Sequence, residues 1–222
     1  MQAALVILGV LLAASAPSQP IDISSEPHHK LLLENDKVRV FRLNLQPKDA
    51  TELHWHAGYY AYISFKPAEI SNEVPGHPAV RTKLAENELH TSKGTFSLVE
   101  RNTSANPAEM LVVEPLNLDV GRFASPMGDF ERHEALFGEL FEAHVMRGYS
   151  MVLAPGGGIA EHTEKYDRLL IATSSLDLRE DSEPARAMHL RTGAIKWLPK
   201  GPQRAMSNLG ENRASFIVLE FR

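Results

Sequence analysis

The sequence predicts an all-β protein built from two similar barrel-like or sandwich-like units. Three observations carry this. Apolar segments of strand length recur, some alternating with polar residues and some as short continuous runs. Glycine and proline punctuate them at intervals of about 8–12 residues, the rhythm of turns between short strands. The second half of the chain also returns the landmarks of the first, in order and with the same local spacing.

The N-terminus comes first. Leu5 to Ala14 is a continuous apolar run, LVILGVLLAA, followed by the small residues Ala14-Ser15-Ala16. A bilayer span needs about 20 such residues, so the run is too short to cross a membrane. It has the length of a secretory signal's hydrophobic region. Residues 1–18 are therefore expected to be a cleaved signal peptide, which makes the mature chain exported (periplasmic or secreted), with no membrane contact after its removal.

The strands follow. Phe41, Leu43 and Leu45 alternate with Arg42, Asn44 and Gln46, as in a strand with one buried face. Ile195 and Trp197 alternate with Ala194 and Lys196. The continuous runs Leu169–Ala172 and Phe216–Leu219 suit strands covered on both faces. Phe130–Phe141 has helix-like apolar spacing, but Gly138 interrupts it, and its position at the opening of the second half suits a strand.

The duplication is specific. Leu45-Gln-Pro47 and Leu153-Ala-Pro155 each precede a histidine seven residues after the proline, His54 and His162. His90 lies four before Gly94, and His189 four before Gly193. Asn102, Asn106 and Glu114 return as Asn208, Asn212 and Glu220. The units are placed at 19–120 and 129–222, joined by the turn-rich stretch after Gly121.

Composition limits the chemistry. The 222 residues are 43% hydrophobic and 23% charged, enough to build an apolar core without staples. Lys plus Arg is 23 and Asp plus Glu is 28, a net charge of −5 without a basic stripe, which argues against nucleic acid as a partner. With no cysteine, disulfides, thiol nucleophiles, Cys-ligated metals and lipid anchors on cysteine are excluded. Any metal must be held by His, Asp or Glu, and there are ten histidines.

The stretch Gly193-AIKWL-Pro199-Lys-Gly201-PQ-Arg204-AMS-Asn208 resembles the second motif of the cupins, G-x5-P-x-G-x2-H-x3-N, with Arg204 in the place of its histidine. His54-Trp55-His56 resembles the HxH that opens the first cupin motif, and His162-Thr163-Glu164 stands at the same place in the second unit. The resemblance covers both units. It implies two cupin-type jelly-roll β-barrels (double-stranded β-helices) in one chain, a bicupin. It also implies a divalent transition metal (Fe, Mn, Ni, Cu or Zn) and chemistry of the oxygenase, isomerase or hydrolase kind. Residues i and i+2 of a strand share a face, so His54 and His56 can offer two imidazoles to one ion.

Both units depart from the motif. Gly94 and Asn102 are 8 residues apart, against 15 between Gly193 and Asn208, so the turn carrying the motif's last histidine is missing from the first unit. Ala57-Gly58-Tyr59-Tyr60-Ala61 supplies no carboxylate after His56. In the second unit Arg204 cannot donate a lone pair to a metal. The reading drawn from this is an exported bicupin acting as a small-molecule-binding or structural module, with His162, Glu164 and Arg204 as ligand-binding residues and no certain cofactor. The alternative is a metal-dependent cupin enzyme using His54 and His56. A small-molecule ligand and a homodimer are the expected partners. The substrate is not encoded in any recognisable motif.

Overall fold

The computed structural model describes residues 19–116, 121–182 and 184–222. The expected signal peptide, residues 1–18, lies outside the described residues. Ten strands form the first half: β1 (Ile21–Asp22), β2 (His29–Glu34), β3 (Val38–Leu45), β4 (His54–Trp55), β5 (Tyr60–Ser64), β6 (Ala68–Glu73), β7 (Val80–Leu84), β8 (Leu89–Ser92), β9 (Ser97–Asn102) and β10 (Ala108–Pro115). Ten more form the second: β11 (Arg132–Glu142), β12 (Met146–Ile159), β13 (His162–Glu164), β14 (Asp167–Ala172), β15 (Leu176–Glu180), β16 (Arg186–Leu190), β17 (Ile195–Leu198), β18 (Gly201–Gln203), β19 (Met206–Asn208) and β20 (Ala214–Phe221). The stretch with helix-like spacing is strand β11, paired with β12.

In the first half, a sheet of order β1-β4-β9-β6-β7 lies against one of order β2-β3-β10-β5-β8. In the second, an eight-stranded sheet curls round and the short pair β13–β18 sits beside it. Among the described residues no sheet mixes strands of the two halves. The architecture is all-β, two jelly-roll barrels.

Strand alternation divides each central strand between two cores. Phe41, Leu43 and Leu45 of β3, with Met110 and Val112 of β10, fill the first barrel. Met151, Leu170, Phe216 and Val218 fill the second. The residues between them point the other way. Val40, Ile63, Leu111 and Val113 meet Leu169, Ile171, Ile217 and Leu219 in a third core between the barrels. This is why β14 and β20 read as continuous apolar runs: both faces are covered.

The repeat is physical. Asn102 Nδ2 donates to the carbonyls of Leu45 (3.0 Å) and Asn106 (2.8 Å). Asn208 Nδ2 donates to those of Leu153 (3.2 Å) and Asn212 (2.8 Å). Each Asn Oδ1 accepts a backbone N–H two residues on, from Ser104 and from Gly210. Arg39 faces Glu114 across β3 and β10, as Arg147 faces Glu220 across β12 and β20.

The seven-residue difference also has a structural meaning. In the first barrel β4 pairs directly with β9, His54 opposite Leu98. In the second, β13 pairs with β18, His162 opposite Gln203. The short first-barrel turn depends on Gly94, whose φ is 62° and where a Cβ would run into the carbonyl of Gly58.

Candidate metal centre

His54 and His56 flank Trp55, His54 within β4 and His56 just past its end. The histidines are buried and Trp55 is exposed, as the alternation requires. Inside the barrel His54 meets two residues from other elements. His29 enters from the start of β2, and Glu100 comes from β9, two residues beyond Leu98 and so on the same face. The Nε2 atoms of His29 and His54 lie 3.7 and 3.8 Å from Glu100 Oε2. All three atoms fall within 4.8 Å of one another. None is within hydrogen-bonding reach of a protein partner, and all are buried.

The other ring nitrogens are tied. His29 Nδ1 donates to Glu26 Oε2 at 2.7 Å, and His54 Nδ1 to the carbonyl of Glu52 at 2.9 Å. With the proton on Nδ1, each Nε2 presents a lone pair towards Glu100. Glu26 organises both rings, because its Oε1 also accepts the backbone N–H of Glu52 at 3.1 Å. Burial opposes the charge on Glu26, but hydrogen bonds from His29, His28 and Glu52 outweigh it and bring its pKa down to about 2. Burial pushes the His54 pKa down, against the pull of Glu100, which favours the neutral ring a metal needs.

His56 stands beside this group without joining its three-atom cluster. Its ring is 5.1 Å from that of His54 and stacks on Tyr60 at 3.9 Å. Nδ1 donates to Glu114 Oε1 at 2.8 Å, and Glu114 Oε2 accepts from Arg39 at 2.9 Å. Its Nε2 is likewise buried and unpartnered.

The donor set fits a divalent transition ion. Two neutral imidazoles and one carboxylate are the donors used by sites that keep coordination positions open for reaction. Ligands about 2.1 Å from one tetrahedral ion are roughly 3.4 Å apart, so the two separations to Glu100 need only a few tenths of an ångström of closure. Glu100 also lines a cavity of about 500 Å³, with Tyr60, Tyr62, Phe96, Leu98 and Met110 among its walls and no Lys or Arg. Burial raises the Tyr62 pKa to about 12, with Glu100 adding to the effect, so its hydroxyl keeps its proton.

The second barrel closes the same position. His162 Nδ1 donates to the carbonyl of Ala160 at 2.8 Å, as His54 does to Glu52. Its Nε2, however, is 3.0 Å from Glu164 Oε1, and Arg168 Nη1 donates to that oxygen at 2.8 Å. Glu164 thus pairs with Arg168 and not with Arg204. Arg204 sits at the barrel rim, largely exposed, with Glu161 at 3.3 Å.

His29 and Glu100 were not among the residues singled out in the sequence. Glu100 carries a signal: counting back from Asn102 in steps of two places 102, 100 and 98 on one inward face. His29 carries none beyond being the second of a His-His pair.

Compared with protein-family models and with curated proteins, the sequence matches none. Solved structures do resemble the fold. Salicylate 1,2-dioxygenase from Pseudoaminobacter salicylatoxidans, in complex with gentisate, aligns with a TM-score of 0.66 at 9% identity, over 91% of this chain and 76% of that one. AerE from Microcystis aeruginosa aligns at 0.60 and 13% identity, over 89% and 98%. Oxalate decarboxylase from Lactobacillus farciminis, in a formate complex, aligns at 0.59 and 12%, over 94% and 87%. A cupin 2 conserved barrel domain protein from Leptotrichia buccalis aligns at 0.58 and 10%, over 93% and 92%. With two jelly-roll barrels, the cupin-like motifs and these neighbours together, the chain has the fold of the cupin superfamily in its two-barrel form.

Proposed function

We propose that the first barrel holds a divalent transition-metal ion on His29, His54 and Glu100, and that the protein acts through it on a small, largely apolar molecule in the adjoining cavity. The supporting observation is the convergence of three buried donor atoms that have no protein partner. Leaving them unpaired costs free energy that an ion would recover. A bound ion would supply Lewis-acid or one-electron chemistry. The chain's own groups would orient the substrate: Tyr60 and Tyr62 offer aromatic faces and protonated hydroxyls, and Phe96, Leu98 and Met110 exclude water. The cavity's lack of cationic side chains speaks against a polyanionic substrate.

This reading favours the metal-dependent alternative over a metal-free binding module. It moves the ligand set from the His54–His56 pair to His54 with His29 and Glu100, leaving His56 as a neighbouring donor. Two of the neighbours agree with it: one is a salicylate 1,2-dioxygenase and another an oxalate decarboxylase. Export stays part of the proposal, resting on the apolar N-terminal run alone.

The test is metal analysis of protein prepared without a His tag, followed by titration with Fe(II), Mn(II) and Zn(II). The wild type should bind one equivalent. His29→Ala, His54→Ala and Glu100→Gln should each weaken binding at least tenfold, about 1.4 kcal/mol, while His162→Ala should not. Equal binding by all four variants would overturn the proposal.

A further inference from the structure

We propose that the interior of the second barrel is a binding site for a small carboxylate, held by the guanidinium of Arg168. This proposal is independent of the metal reading for the first barrel.

Arg168, on β14, is 5% exposed. Nη1 bonds Glu164, but Nε and Nη2 are buried and have no acceptor. These two atoms form one edge of the planar guanidinium, the edge that grips a carboxylate through two parallel hydrogen bonds. Buried, unpaired N–H groups on a charged side chain are costly, and protein interiors seldom leave them so.

The surroundings of the side chain supply a cavity and a further polar group. Arg168 lines an interior cavity of about 60 Å³ together with His162, Tyr149, Phe130 and Met206. That is room for a few waters, or for one carboxylate the size of formate or acetate. The Tyr149 hydroxyl lies beside the same guanidinium, and burial keeps it protonated and able to donate. The much larger cavity of the first barrel has no such group, because Tyr60 occupies the position corresponding to Arg168. The match keeps the step of 108 residues that relates Arg39 to Arg147 and His54 to His162.

The other polar groups around the cavity are already matched. Both ring nitrogens of His162 face acceptors, the carbonyl of Ala160 and the carboxylate of Glu164. Two buried cations, Arg147 and Arg168, face two carboxylates, Glu164 and Glu220, and Arg147 also reaches the more exposed Glu142 at 3.4 Å. At the rim Arg204 and Glu180 add one charge of each sign. A monocarboxylate would complete the hydrogen bonding of Arg168; phosphate or sulfate would overfill the space.

The test uses the full mature chain, stripped of metal, titrated with formate, acetate, chloride and phosphate. Guanidinium resonances are followed by nitrogen-15 NMR, and heats by calorimetry. Formate or acetate should bind one to one with a dissociation constant below about 10 mM, and the Arg168 Nε–H resonance should move with saturation. Arg168→Lys keeps the charge but loses the fork, and should weaken binding at least tenfold; His54→Ala should bind as the wild type does. If Arg168→Lys does not fold, the wild-type resonance still decides. No saturable shift up to about 50 mM, a shift that leaves Arg168 unmoved, equal binding by Arg168→Lys, or an equal response to chloride would each overturn the proposal.

Discussion

His54 and His162 are the same residue of the repeat, oriented in the same way and facing opposite surroundings. Each donates Nδ1–H to the carbonyl two residues before it, at 2.9 and 2.8 Å. In the first barrel the far nitrogen points at an unpaired carboxylate oxygen 3.8 Å away. In the second it is already bonded to Glu164, and Arg168 stands behind that carboxylate. The substitutions that separate the two barrels at this point include His56 for Glu164, Tyr60 for Arg168 and, two residues before the repeated Asn, Glu100 for Met206. Together they convert a site with spare lone pairs into one with spare N–H donors.

Glu26 is expected to control metal affinity without touching the metal. Its Oε2 accepts both the backbone N–H of His29, at 3.0 Å, and the ring Nδ1–H, at 2.7 Å. Glu26→Gln keeps the shape, removes the charge and places an N–H where an acceptor is needed. Partners of this kind typically contribute 10–100-fold in metal affinity. Metal titration of Glu26→Gln should show a loss of about tenfold or more. His28→Ala, which removes only a more exposed contact to the other oxygen, should leave affinity near the wild-type value.

Glu164 should make the second barrel sensitive to acid. Burial raises its pKa, but the His162 hydrogen bond and the charge of Arg168 outweigh this and hold it below the usual 4.5. A carboxyl whose folded-state pKa is depressed contributes stability above its unfolded pKa, and that contribution is lost as pH falls through the folded one. Wild-type stability should therefore fall from about pH 5 downwards, and Glu164→Gln should flatten this part of the profile. Urea unfolding at a series of pH values measures it. Parallel profiles for the two proteins would show that Glu164 has no such role.

The fold was legible in the sequence because its causes are local or repeated. Period-two alternation marks β3, turn residues separate the strands, and Asn102 and Asn208 carry the same turn chemistry in both halves. The doubly buried runs of β14 and β20 also announced a covering layer, though not that this layer is the other barrel. The site was legible only in part. His54 and His56 share a strand, so spacing alone places them together. His29 and Glu100 reach His54 from different strands, and nothing in their local sequence records that meeting. Arg168 went unnoticed for the same reason. It lies within an apolar strand run whose inward face could be counted, but that two of its nitrogens lack a partner depends on Glu164 engaging only the third.

The apolar layer between the barrels should make them unfold together. Leu219 is fully buried there among Ile63, Val113 and Ile171, residues drawn from both halves. Leu219→Ala is expected to cost about 3 kcal/mol, the usual range for a leucine truncated in a packed core. Thermal unfolding followed by circular dichroism and by tryptophan fluorescence should give coincident transitions in the wild type. Trp55 reports from the first half and Trp197 from the second. Separate transitions in the wild type would mean that the shared core does not couple the barrels.

The last prediction concerns Arg147 and Glu220, a pair buried more completely than any other arginine–carboxylate pair among the described residues. Their side chains are 2% and 1% exposed, and Nε meets Oε2 at 2.5 Å. Burial still pushes the Glu220 pKa up despite the arginine, so desolvation is the larger effect. Removing one partner leaves a buried charge without its counterpart. Arg147→Met and Glu220→Leu should each cost about 3–5 kcal/mol. The double variant should cost clearly less than the two added together, because neither charge is then stranded. It should not reach neutrality, since Arg147 also donates to the carbonyl of Ser125 at 2.7 Å and lies over the Phe123 ring at 4.3 Å. Denaturant unfolding of the two single variants and the double variant closes the cycle. Additive losses would mean that the two side chains act separately, and that Arg147 is held in place by Ser125 and Phe123 alone.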